Sequence, residues 1–488
     1  MTNLLKIILF AVMFLSACKG VEPENGNDVT KPEVETVTVY VTSSDRTYAF
    51  SKMELNFSKP GDLPASTVIL DVGQRFQTMH GFGAALTGSA CYNLMKMSPQ
   101  DRNRFLTNTF SEEGMAYSYM RISIGCSDFS LSEYTLCDVV GIENFALTSE
   151  ETDYVIPVLK EILAINPDLK IMGSPWTSPR WMKVNNLTDL QPHVRWTGGH
   201  LNPAYYQDYA AYFVKWIQAF ADEGISITSV TPQNEPLWHG NSASLLMFWE
   251  EQRDFVNDAL VPQFIAAGLN TKIYLYDHNY HYANMSDQMG YPAKIYEAGV
   301  NNDIVAGAAF HNYGGNRSEL LNIHSLFPDK ELVFTEASIG QWNNGKDLSQ
   351  RLIPDMREVA LGTVNNWCSA VIVWNLMLDE NMGPNRPGGC LTCYGSVDIA
   401  ADYRTLTYNS HYYIIGHLSA VVKPGAVRIA TTGMTDTDIV ISAFKNTDNS
   451  HAVVLFNSSQ ENKPVRIADA EKSFMHVVPA RSVVSYIW

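Results

Sequence analysis

The chain has 488 residues, of which 46% are hydrophobic and 17% charged, with a formal net charge of −17 from 34 Lys and Arg against 51 Asp and Glu. This balance excludes a disordered chain, and the length suits one large domain with a smaller companion. The acidic surplus excludes a polyphosphate partner, which needs clustered Lys and Arg, so no nucleic-acid partner is expected.

From the N-terminus, Lys6 precedes an apolar run over residues 7–15 that ends in Leu15-Ser16-Ala17-Cys18. The run is too short for a permanent membrane helix and fits the apolar part of a secretory signal. Small residues followed by Cys resemble a bacterial lipobox. Residues 1–18 are therefore expected to be a lipoprotein signal, with Cys18 lipidated as the mature N-terminus. The protein would be exported to the outer membrane or cell surface and held there by that lipid. Residues 19–45, polar at first and rich in Pro, Gly and acidic side chains, read as a flexible tether. Near its end Val37, Val39 and Val41 alternate with other residues, a short strand signal. Strand-like pieces at 52–57 and 67–70 place early strands in the segment 46–76.

Strand and helix then alternate. Strands are expected near 77–81, 119–124, 170–174, 227–232, 272–276, 304–310, 331–335 and 370–374, with helical periods at 152–164, 205–222, 246–267 and 348–366. Eight strand–helix units over residues 77–406 fit a (β/α)8 TIM barrel. From 407 to 488 the pattern changes to short β-rich runs at 426–430, 438–444, 452–457, 465–467, 474–478 and 482–487, separated by turn residues. That region reads as an all-β sandwich. The fold class is α/β, a barrel with a sandwich formed by the C-terminal region and the early strands.

Two expected strands deliver a glutamate at their C-terminal ends, where barrels carry their chemistry. The first is Thr231-Pro232-Gln233-Asn234-Glu235-Pro236 and the second is Phe334-Thr335-Glu336-Ala337-Ser338. On strands four and seven they face each other across the barrel mouth. Retaining glycoside hydrolysis needs such a pair, one carboxyl protonated as acid and one ionised as nucleophile. No His-x-x-x-His pair is present, so neither a metal nor another cofactor is expected, and His239, His278 and His311 read as structural or substrate-lining. Gly340…Gly345-Lys346-Asp347 lacks the hydroxyl of a phosphate-binding loop, and Gly81-Phe82-Gly83 lacks the third glycine of a dinucleotide site.

With these motifs the chain resembles glycoside hydrolase family 30, which includes lysosomal glucosylceramidase and β-1,6-glucanases. The resemblance runs from about Met53 to Trp488. It rests on His80-Gly81-Phe82-Gly83-Ala84-Ala85-Leu86-Thr87, Phe110-Ser111-Glu112-Glu113-Gly114, Ser127-Asp128-Phe129-Ser130 and Ser174-Pro175-Trp176-Thr177-Ser178-Pro179, on Asn234-Glu235-Pro236, and on His311-Asn312-Tyr313, Thr335-Glu336-Ala337 and Trp374-Asn375-Leu376. It implies a retaining β-glycosidase with Glu235 as acid/base and Glu336 as nucleophile. It also implies sugar contacts at Arg121, Trp176, Asn234, Tyr313 and Trp374, and a glycan substrate, a β-glucan or β-glucoside. A monomer is expected.

One departure bears on specificity. Family members that bind a terminal glucose carry Thr-Asp where this chain has Thr87-Gly88. The missing carboxylate is expected to open space for a preceding sugar attached through O6, as an endo-β-1,6-glucanase requires. The residues leave open an exo-acting β-glucosidase or glucosylceramidase-like enzyme, a β-fucosidase or galactosidase, and a non-catalytic glycan-binding lipoprotein. Cys390 and Cys393 have the spacing of a local loop disulfide, and the loop holding them is expected to shape the site.

Overall fold

The computed structural model describes residues 35–58, 67–282, 284–301, 303–386 and 388–488; the expected signal and most of the tether lie outside them. The alternating region is a closed parallel barrel. Its strands are β1 (Gly81–Ala84), β2 (Tyr119–Ser123), β3 (Lys170–Ser174), β4 (Ser229–Val230), β5 (Lys272–Asn279), β6 (Val305–His311), β7 (Glu331–Glu336) and β8 (Cys368–Val373). They pair in chain order with β8 beside β1, and a bridge between Ala85 and Arg121 completes the ring. Side chains alternate along each strand. Tyr119, Met172, Tyr274, Ala309, Val333 and Ala370 fill one interior layer. Two residues further along β2 and β3 come Arg121 and Ser174, in the layer at the barrel mouth.

The first barrel strand starts later than expected. Residues 77 and 78 still belong to the long strand Val68–Thr78 of the other sheet, and the barrel begins at Gly81. Gly81 has a φ of 146°. At Gly83 the β2 backbone at Tyr119 lies so close that no side chain fits. The Gly-Phe-Gly motif thus serves close packing of β1 on β2. The expected helices at 152–164 and 246–267 each contain a wide π-type turn, at Glu151–Val155 and Val256–Leu260. Pro157 and Pro262 follow these turns and lack the N–H needed for the α-helical bond there.

The β-rich region and the early strands form one nine-stranded sheet. Its spatial order is Ser51–Asn56, Thr36–Ser43, Ser482–Ile487, His451–Asn457, Ile439–Lys445, Val427–Thr432, Val68–Thr78, Lys463–Ala468 and Ser473–Val478. It curls on itself into a sandwich. Ser58 bridges Ser473, and Val39, Leu70, Ile429, Leu455, Phe474 and Tyr486 meet inside. The strand Thr36–Ser43 takes in residues expected in the tether, because Val37, Val39 and Val41 are fully buried and their alternation prevails over the polar run before them.

The segment expected to be all-β from 407 also contains a helix, Ser410–Ser419, with every residue buried. This helix packs on both the barrel and the sandwich. Its His417 joins it to the sandwich: Nδ1 lies 2.8 Å from Oγ of Ser485 and Nε2 2.9 Å from Oγ1 of Thr42. Since the Ser485 hydroxyl donates to the His417 carbonyl at 2.7 Å, Nδ1–H donates to Ser485 and Nε2 accepts from Thr42. The Nε2 bond requires a neutral ring, since a protonated Nε2 cannot accept from Thr42, and burial holds His417 down at about 3. The joint therefore contributes stability above a pH of about 6.5 that is lost as the pH falls toward about 3. Urea unfolding between pH 6.5 and 4 should show the wild type losing about 1.4 kcal/mol more per pH unit than His417→Gln; parallel losses would contradict this assignment.

Candidate active site

A buried cation organises the barrel mouth. Arg121, on β2, has no exposed surface. Its Nε donates to Ser174 Oγ at 3.1 Å, Nη1 to Glu336 Oε2 at 2.7 Å, and Nη2 to Asn234 Oδ1 at 2.6 Å and Asp277 Oδ2 at 2.8 Å. Trp176 and Trp374 flank the guanidinium, with ring centroids at 5.0 and 5.7 Å. Charges held this way keep Arg121 protonated despite burial, through Asp277 and Glu336.

Asp277 reaches this cluster through a β-bulge. The register of β5 against β6 slips between Tyr276 and His278, and Tyr276 and Asp277 have φ of 72° and 62°. The extra residue turns the Asp277 carboxyl into the barrel. There it accepts from Arg121, from Thr231 Oγ1 at 2.7 Å and from Thr335 Oγ1 at 2.7 Å, and meets His311 Nε2 at 3.1 Å. Although burial opposes ionisation, Arg121 and His311 hold Asp277 far below the ordinary carboxylate range.

Glu235 follows β4 in a left-handed conformation, φ 47°, which a non-glycine residue adopts only under constraint. Its N–H donates to the Asp277 carbonyl at 2.9 Å. Oε1 lies 3.2 Å from Nδ1 of His311 and 3.6 Å from Nδ1 of His278. Glu336 ends β7 and accepts from Arg121 and, at Oε1, from the Tyr313 hydroxyl at 3.0 Å.

Burial pushes Glu336 above the ordinary carboxylate range, with His311 and Arg121 opposing and Glu235 adding to the push. Glu235 is also buried, yet His278 and His311 hold it down. Burial lowers His311, but Glu336, Asp277 and Glu235 outweigh it and place the ring at about 9. The proton of the Glu235–His311 pair thus rests on the imidazole, one short transfer from the carboxyl. A guanidinium does not release its proton, so the positive partner of Glu336 is permanent while that of Glu235 is labile. The resting directions run opposite to the working roles, Glu336 ionised and Glu235 protonated; transfer of the imidazole proton onto Glu235, with Arg121 still charged beside Glu336, produces the working state.

Both glutamates line one cleft of about 400 Å3, together with Asp128, Tyr313 and Trp374. Half-exposed Trp238 and Trp342 also line it. The expected sugar contacts divide. Tyr313 and Trp374 line the cleft, whereas Trp176 is buried behind, stacked on Trp374 at 5.2 Å. Its ring packs on Trp374 and Arg121. Asn234, 5% exposed, accepts from Arg121, which in turn holds Glu336. The space expected beside Gly88 is filled, because any side chain there would collide with the Glu150 carboxyl. Burial raises that carboxyl to about 7. Cys390 and Cys393 form a disulfide at the cleft.

The glycosyl hydrolase family 30 TIM-barrel domain matches residues 79–422. The chain belongs to glycosyl hydrolase family 30. The family 30 beta sandwich domain matches residues 425–486, which leaves helix Ser410–Ser419 on the barrel side. This family 30 chain is a glycoside hydrolase. Mouse lysosomal acid glucosylceramidase is 28% identical over 502 residues, covering 97% of this chain and 92% of that protein. The Trichoderma harzianum endo-1,6-beta-D-glucanase BGN16.3 is 30% identical over 436 residues, 84% of each. Among solved structures, the endo-beta1,6-glucanase BT3312 has 62% identity and a TM-score of 0.91, covering 93% of this chain and 99% of that one.

Sequence reasoning did not single out Asp277, Thr231 or Thr335, and gave His278 and His311 no specific partner. The bulge that aims Asp277 leaves no motif behind. Removing one member of a buried charge cluster costs about 3–5 kcal/mol, so Asp277→Ala should lower the unfolding free energy by that amount in urea. A loss below about 1 kcal/mol, as at an exposed ion pair, would contradict the place of Asp277 as counter-ion to Arg121.

Proposed function

We propose that this glycoside hydrolase is an endo-acting β-1,6-glucanase that works by double displacement, with Glu235 as acid/base and Glu336 as nucleophile. The observation that carries the mechanism is the pairing of two strand-end carboxyls in one cleft, only one of which has a partner that cannot lose its proton. In the first step an oxygen of Glu336 attacks C1 of the sugar. The bond from C1 to the bridging oxygen breaks, and Glu235 delivers a proton to that oxygen. In the second step water attacks C1 as Glu235 takes its proton, and the bond to Glu336 breaks. Tyr313 and Arg121 hold Glu336 in place for both steps. Trp374 would support the bound sugar, with Trp176 behind it.

Support for the endo-β-1,6 reading comes from the likeness to the endo-beta1,6-glucanase BT3312 along nearly its whole length. The Glu150 carboxyl occupies the space beside Gly88 and leaves no opened subsite there, so this reading rests on that likeness and on the aromatic rim. Incubated with β-1,6-glucan, the full chain should release a ladder of oligosaccharides by chromatography. Single glucose units would indicate exo action, and hydrolysis of glucosylceramide alone would favour the other relatives. Glu336→Gln should abolish turnover of every substrate, whereas Glu235→Gln should slow poor leaving groups by about 10²–10⁴-fold and activated ones far less.

We also propose that the enzyme is an exported lipoprotein anchored through Cys18 at the outer membrane or cell surface. The support is the apolar run ending in Leu15-Ser16-Ala17-Cys18. Growth with radiolabelled palmitate should label the wild type and leave Cys18→Ala unlabelled; equal labelling would contradict the anchor.

A further inference from the structure

We propose that Glu235, His278 and His311 form a binding site for a zinc-type divalent cation. Among the described residues these are the one group of three such side chains whose donor atoms lie within 4.8 Å of one another. They come from the loop after β4, from β5 and from the end of β6, so three barrel strands fix their positions. Glu235 Oε1 stands 3.2 Å from His311 Nδ1 and 3.6 Å from His278 Nδ1. The first is an ordinary hydrogen-bond distance and the second is too long for one. They bracket the edge of a tetrahedron of zinc ligands, about 3.3–3.5 Å for bonds of about 2.0–2.2 Å.

Two further features point the same way. His278 is 1% exposed and, among the described residues, neither ring nitrogen has a hydrogen-bond partner, an arrangement that costs free energy unless another group satisfies it. His311 holds Nε2 3.1 Å from Asp277 Oδ1, the carboxylate–histidine relay that orients metal-binding imidazoles, and a bound cation would displace the proton that Nδ1 shares with Glu235. Two imidazoles and one carboxylate suit zinc or copper and do not suit magnesium. Of the three, Glu235 lines the cleft. A cation there would occupy the oxygen that must carry a proton to the leaving group, and so would block hydrolysis. That last consequence rests on Glu235 as acid/base; the binding does not.

Calorimetric titration of the full chain with zinc chloride should show one zinc per chain, and magnesium chloride should give no heat. His278→Asn should weaken zinc binding more than tenfold. Absence of zinc uptake, or uptake unchanged in His278→Asn, would overturn the site. Should that variant not fold, cobalt chloride added to the wild type decides: intense visible bands of four-coordinate cobalt support the site, and weak six-coordinate bands or none overturn it. Zinc bound in a His278-dependent way without loss of hydrolysis would uphold the site and contradict the catalytic role of Glu235.

Discussion

A guanidinium with no exposed surface must find an acceptor for each of its donors, and it must find negative charge. Arg121 answers that demand with four bonds from its five N–H groups, to Ser174, Asn234, Asp277 and Glu336. These partners come from the ends of four different strand segments, so the cation fixes how those ends sit relative to one another. The position of the expected nucleophile thus follows from a solvation problem inside the barrel. The same cation gives Glu336 a positive neighbour that no pH within the stability of the fold can remove.

Around this centre the remaining parts have separate tasks. The β5 bulge turns Asp277 inward, and Asp277 ties Arg121 to His311 and so links the surroundings of the two glutamates. Trp176 stacks on Trp374 while both rings pack against Arg121, so it supports Trp374 at the cleft. Among the described residues, the sandwich contributes nothing to the cleft lining. It contacts the barrel in part through the fully buried helix Ser410–Ser419, whose His417 must stay neutral.

Much of this was legible in the residues. All eight barrel strands and the six C-terminal strands lie at or beside their expected positions, because apolar runs of strand length bounded by turns survive as a signal whatever the tertiary context. The two glutamates were visible because each ends such a run. Less legible were features that depend on contacts across the fold. A long strand shared with the sandwich displaced β1, and buried valines claimed the end of the tether. Nothing near Gly88 in the chain announces that Glu150, 62 residues on, fills the space beside it. Trp176 sits in a motif together with surface-directed residues, and only the packing against Trp374 turns it inward.

The central claim is that Glu336 becomes covalently bonded to the sugar. An activated 2-deoxy-2-fluoro-β-glucoside slows the second displacement more than it slows departure of the leaving group, so the glycosyl–enzyme accumulates. Peptide mass spectrometry of the labelled enzyme then reads the site of attachment. The account predicts one fluoroglucosyl group per chain, on the peptide containing Glu336. A label on Glu235 or another residue, or turnover in which the product carries inverted configuration and no label forms, would contradict it.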